Sequence, residues 1–126
     1  MKRIGNPIVG PGGKVLPLSA AIEANGMVFV SGQLPMKDGK LVGETIEEQT
    51  TASLDALEAV LKAAGLGLEH VVKTDIWITE VAHYAGCNAT YGARFKEPYP
   101  ARATVVSGLA LPGALVEIDA IAVRPS

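Results

Sequence analysis

The segment Val116-Glu117-Ile118-Asp119-Ala120-Ile121-Ala122-Val123 sets apolar residues against a glutamate and an aspartate at every second position of its first half. A period of two is the mark of an extended strand with one face buried. A second strand-like segment, Pro100-Ala101-Arg102-Ala103-Thr104-Val105, precedes it, so that Arg102 stands fifteen residues ahead of Glu117. A guanidinium near the start of one strand and a carboxylate inside the next are unusual in a sheet built only to pack. Arginine is costly to bury unless it meets an anion, and its planar fork of donors matches a carboxylate. Two partners satisfy it: Glu117 in a structural ion pair, or a small carboxylic acid from outside. Spacing alone does not choose between them.

At 126 residues the chain is expected to form one domain with a core of its own. Apolar residues make up 48% and charged residues 19%, as in ordinary folded proteins. The net charge is −2 and no lysine or arginine run occurs, which argues against a nucleic-acid partner. No apolar stretch approaches the roughly 18–20 residues of a membrane span, so no membrane partner is expected. Basic Lys2-Arg3 is not followed by the apolar core of a secretory signal, which makes the cytoplasm the default location. Cys87 is the only cysteine, and His70 and His83 are thirteen residues apart. Neither a disulfide framework nor a metal site is expected from that set.

Turn and cap signals order the rest. Pro7, Pro11 and Pro17, with Gly5, Gly10, Gly12 and Gly13, describe an irregular arm with a tight turn. Asn25-Gly26 between apolar runs over 19–24 and 27–31 is a hairpin signal, since both residues tolerate positive φ. Gly32 in Ser31-Gly32-Gln33 either bends the second strand or lets a ligand reach bare backbone. Asp38-Gly39 marks another turn. Thr45-Ile46-Glu47-Glu48 is a capping box, followed by an apolar stripe of Leu54, Leu57, Leu61 and Ala64 and stopped by Gly65. A strand is predicted over 71–79, with Val72, Thr74, Ile76 and Ile78 on one face. A helix is predicted over about 81–95, with Tyr84, Asn88, Tyr91 and Phe95 sharing a face. Cys87 reads as a small buried residue, and Trp77 as packing. This order of elements implies an α+β fold: a mixed sheet with two helices on one face. The other face is left uncovered, and oligomerisation is the expected remedy.

Six blocks resemble, in order and spacing, the reactive-intermediate deaminase family (RidA, also called YjgF). They are Ser31-Gly32-Gln33-Leu34-Pro35, Ala63-Ala64-Gly65-Leu66, Val72-Lys73-Thr74, Asn88-Ala89-Thr90-Tyr91, Pro100-Ala101-Arg102 and Val116 through Ala122. The resemblance covers nearly the whole chain. It implies a chorismate-mutase-like α+β unit assembled as a homotrimer, with a ligand cleft at each subunit interface. It also implies hydrolysis of small enamines and imines such as 2-aminoacrylate, giving a 2-keto acid and ammonia without a cofactor. Carried over, Arg102 holds the substrate carboxylate and Glu117 orients and activates water. Gly32 then offers backbone atoms to the substrate, and Asn88 lines the cleft. Thr104 stands where many relatives have cysteine. Leu18, in Leu16-Pro17-Leu18-Ser19, stands where many have a tyrosine, so a hydrogen-bonding phenol is missing there. A non-catalytic trimer that binds small carboxylates is the alternative. Relatives are also credited with endoribonuclease activity, which the acidic balance does not favour.

Overall fold

Asn25 (φ 53°) and Gly26 (φ 74°) both adopt left-handed backbone geometry, the conformation a two-residue hairpin demands. They join β2 (Ala21–Ala24) to β3 (Met27–Gln33), as the sequence indicates. The computed structural model describes residues 1–126. Before this hairpin lies a short strand, β1 (Lys2–Ile4), and after it a two-stranded ribbon, β4 (Met36–Lys37) and β5 (Lys40–Leu41), turned at Asp38-Gly39. Then follow α1 (Ile46–Ala63), β6 (Val71–Ile78), α2 (Tyr84–Arg94), β7 (Ala101–Val106) and β8 (Val116–Val123). The main sheet has the order β1-β2-β3-β8-β6-β7. All neighbours are antiparallel except β6 and β7. A parallel pair needs a crossover, and α2 supplies it.

Both helices cover the same face of this mixed sheet. Leu54, Leu57 and Leu61 of α1 are fully buried, as are Val28, Val116, Ile118 and Ala122 beneath. Thr45 caps α1: its hydroxyl accepts from the Glu48 amide, while the Glu48 carboxylate accepts from the amides of Glu44 and Thr45. Those bonds hold the Glu48 carboxyl below its ordinary pKa. Gly65 ends the helix at φ 76°. Where α2 crosses the start of α1, Gly86 is needed for space: a Cβ there would stand 2.8 Å from Ile46 Cγ2.

Buried Gln49 ties α1 to the turn ahead of β8. Its Nε2 donates to the carbonyls of Gly43 and Gly113, and its Oε1 accepts from the Leu115 amide at 2.7 Å. Every donor and acceptor of this amide is therefore engaged, as a buried polar group requires. The entry of β8 into the sheet is fixed by that clip.

Three expectations need correction. Val72 does not share the buried face of Thr74, Ile76 and Ile78; it is half exposed. Pairing with β8 shifts register between Val71 and Lys73, and this bulge turns Val71 inward in its place. The N-terminal arm is not wholly irregular, since Lys2–Ile4 adds to β2 as an edge strand. The second helix begins at Tyr84, with Val81–His83 forming a single 3₁₀ turn.

The face away from the helices carries Ile22, Phe29, Trp77, Val105 and Ile121, with Phe29 and Val105 over two-fifths exposed. No helix is long and apolar enough to cross a membrane. Leu57→Ala, in the fully buried stripe of α1, is expected to lower unfolding free energy by roughly 2–5 kcal/mol in a denaturant titration.

Candidate active site

Strand β6 lies between β8 and β7, and its pairings decide where the two charged residues point. Glu117 lies opposite Trp77, whereas Arg102 lies opposite Thr74. Directly paired residues share a face, and the face alternates along a strand. Thr74 is completely buried under the helices, while Trp77 is on the uncovered side. Arg102 and Glu117 therefore project from opposite faces of one sheet. The intrachain ion pair that their spacing allowed does not form.

Glu117 sits over Gly32. A Cβ built on Gly32 would overlap the Glu117 carboxylate, so only glycine at this position lets the side chain lie flat against β3. Pairing between β3 and β8 also shifts register between Val30 and Gln33, giving the bend that a strand glycine signals. Gly32 and Glu117 line a cavity of about 270 Å³ with Trp77 and the loop Ser107, Gly108, Leu109 and Ala110. Burial raises the Glu117 carboxyl above its ordinary value, and no neighbouring cation offsets it. Ser31 Oγ donates to the Ser19 carbonyl at 2.6 Å, and the Ser31 amide to that of Ala20. These bonds bring the arm carrying half-exposed Leu18 alongside Gly32.

Further along this face Asp119 opposes Asp75. Its Oδ1 accepts from the Asp75 amide at 2.9 Å, and Lys73 Nζ reaches Asp75 at 2.6 Å. Burial, with the Asp75 charge adding to it, raises the Asp119 carboxyl.

The helix side holds Arg102 and Thr104, adjacent on one face of β7. The Arg102 guanidinium lies 5.0 Å from the Tyr91 ring and 5.7 Å from the Tyr84 ring, within reach of cation–π attraction to both. Its Nη2 donates to the Tyr84 hydroxyl at 3.0 Å. Tyr91 is itself held: its hydroxyl bonds Thr74 Oγ1 at 2.7 Å and its ring packs against Phe95 at 4.5 Å. Asn88 lies on α2 one turn from each tyrosine and is exposed. Cys87 is buried, and desolvation raises its thiol pKa, which disfavours the nucleophilic thiolate.

The candidate residues other than Leu18 thus divide into two groups. Gly32 and Glu117 belong to the uncovered face and its cavity; Arg102, Thr104 and Asn88 belong to the rim between β7 and α2. Leu18 lines neither and sits exposed on the arm next to Ser19. Sequence reasoning missed Tyr84 as the partner of Arg102, although its spacing of four from Asn88 put it on the same helical face. It also missed Trp77 and the loop 107–110, for which cross-strand register was the needed signal. A larger hollow of about 740 Å³, lined by Glu58, Arg94, Phe95, Pro98 and Tyr99 among others, contains none of the candidates. Its arginine is already paired with Asp55 and Glu58. No three His, Cys, Asp or Glu side chains converge as a metal site would need.

Comparison with known proteins agrees with this architecture. The family described as Endoribonuclease L-PSP matches residues 13–124. The chain is 39% identical over 109 residues to Protein mmf2, mitochondrial, of Schizosaccharomyces pombe, covering 84% of this chain and 86% of that protein. It is 41% identical over 109 residues to Reactive Intermediate Deaminase A, chloroplastic, of Arabidopsis thaliana, covering 84% of this chain and 58% of that one. The crystal structure of E. coli TdcF with bound serine superposes with a TM-score of 0.84 at 30% identity, over 99% of this chain and 100% of that one. The chain belongs to the Endoribonuclease L-PSP family, the reactive-intermediate deaminases of the RidA/YjgF type.

Proposed function

We propose that this protein is an enamine/imine deaminase, hydrolysing 2-aminoacrylate and small 2-imino acids to 2-keto acids and ammonia. The cleft forms where the Arg102 rim of one copy meets the Glu117 cavity of another, in a homotrimer. The observation that carries this reading is the opposed orientation of Arg102 and Glu117, each in a prepared setting and neither neutralising the other. One chain cannot bring both to one small molecule, whereas a second copy laid on the uncovered apolar face can. The name of the Arabidopsis relative and the serine bound to TdcF, a small amino acid with a carboxylate, support the substrate class.

The chemistry follows from the two groups. Arg102 holds the substrate carboxylate through paired N–H donors. The enamine takes a proton at carbon and becomes an iminium. Glu117 accepts a proton as water adds to the iminium carbon, giving a carbinolamine. That proton goes to the nitrogen; ammonia leaves as Glu117 takes the carbinol O–H proton and the carbonyl forms, and release of this proton to solvent balances the one taken up at carbon. Because the hydrolysis is intrinsically fast, positioning does most of the work. The raised carboxyl of Glu117 brings its basicity nearer to neutrality, which suits a general base. Endoribonuclease action has less support: Arg94, Arg124 and Lys73 are each paired with carboxylates, and the net charge is −2.

The test is a coupled assay in which a pyridoxal-phosphate dehydratase releases 2-aminoacrylate or longer imino acids, and their decay is followed. Wild type should accelerate decay and Arg102→Ala should not. Glu117→Gln should lose about 10²–10⁴-fold in kcat; a variant with wild-type rates would remove Glu117 from the chemistry and favour a carboxylate-binding module. The wild-type rate should fall as pH drops through a midpoint above the ordinary value of 4.5 for a glutamate.

Stability gives a second check. A carboxyl whose folded pKa is raised binds protons more tightly folded than unfolded, so its ionisation weakens the fold as pH rises through these values. Glu117→Gln should therefore raise the melting temperature at pH 7, and the gain should vanish at pH values acid enough to protonate Glu117 in both states.

A further inference from the structure

Arg102 does not stand alone on the α2 side. Its Nη2–H donates to the Tyr84 hydroxyl at 3.0 Å, and the guanidinium lies near the faces of Tyr84 and Tyr91. Tyr91 is anchored by Thr74, so the cation is held from below by a fixed ring and from the side by an exposed one. A phenol has one proton to give and lone pairs to receive. Once its oxygen has accepted from a cation, its own O–H is polarised and becomes a stronger donor. The Tyr84 O–H is bonded to no group of this chain, and nearly half of the residue is open to solvent. Leu18, on the arm beside the other half of the site, has no donor to contribute.

We infer that Tyr84 is a substrate-binding residue whose hydroxyl, polarised by Arg102, donates to the carboxylate that Arg102 grips. The inference rests on the reading of Arg102 as the carboxylate site. The guanidinium N–H groups not turned toward Tyr84 and the phenol O–H then form one continuous set of donors. A carboxylate is matched by that set on both oxygens, while an amide or an ester of the same acid, lacking the charge, is not. Tyr84 supplies ground-state and transition-state binding alike and takes no part in the proton transfers at the imine carbon.

The test compares wild type, Tyr84→Phe and Arg102→Ala. Phenylalanine keeps the ring against the guanidinium and removes only the hydroxyl. In the imino-acid assay Tyr84→Phe should raise KM about tenfold with kcat within about twofold, the pattern of lost uniform binding to a charged group. In parallel, binding of 2-ketobutyrate to each protein is measured by NMR titration. Affinity lost in Arg102→Ala and weakened about tenfold in Tyr84→Phe supports the inference, even if wild type hydrolyses no imino acid and the deaminase reading falls. A Tyr84→Phe protein that binds 2-ketobutyrate as tightly as wild type overturns the role of Tyr84, with the deaminase reading untouched. Wild type that binds no 2-ketobutyrate overturns it together with the carboxylate site.

Discussion

The pairing of β8, β6 and β7 is the constraint on which the rest depends. Glu117 against Trp77 and Arg102 against Thr74 put a partly buried carboxylate and a guanidinium on opposite faces of the same three strands. The pleat makes that separation absolute, because a slip of one residue would turn the whole apolar set of a strand to the wrong side. Val116, Ile118, Ala120 and Ala122 are all buried on the helix side, so β8 cannot slip without exposing four core residues. The core that stabilises the fold thus also keeps Arg102 and Glu117 apart within one chain. An apolar outer face bearing Phe29, Trp77, Val105 and Ile121 gives a second copy reason to dock.

Each group is held by neighbours that leave it little freedom. Glu117 lies flat because Gly32 has no side chain, and β8 enters the sheet at a point set by the Gln49 clip. Arg102 rests on Tyr91, whose hydroxyl is fixed by buried Thr74. Gln49 links α1 to Gly43 and to the turn preceding β8, and Tyr91 links α2 to Thr74 of β6. Satisfied polar groups in such positions give orientation more than stability. Burial of Glu117 works against stability and toward basicity, a trade common where carboxylates do chemistry.

Much of the architecture was legible in the sequence because local chemistry dictated it. Asn25-Gly26, the Thr45–Glu48 capping box, the leucines of α1 and the stop at Gly65 each specify backbone geometry within a few residues. The bulge at Val72 was not legible, since an extra residue in β6 is defined only by what β8 offers opposite it. Lys2–Ile4 was missed for a similar reason: a three-residue edge strand forms because β2 has free backbone groups, not because its own residues demand it. Arg102, Glu117 and Gly32 were found by residue type and by resemblance. Their division between faces needed register, which fifteen residues of spacing do not reveal. Tyr84 was seen as part of a helical face but not as the partner of an arginine on a strand.

The claim that the site is completed by two copies is tested most directly by subunit mixing. Arg102→Ala and Glu117→Gln proteins, each inactive alone, are co-refolded in equal amounts and assayed with imino acid. If Arg102 of one copy works with Glu117 of the next, random assortment restores about a quarter of wild-type activity. If the mixture stays as inactive as its components while mass spectrometry shows that mixed oligomers have formed, the two residues do not meet across an interface and the account is wrong.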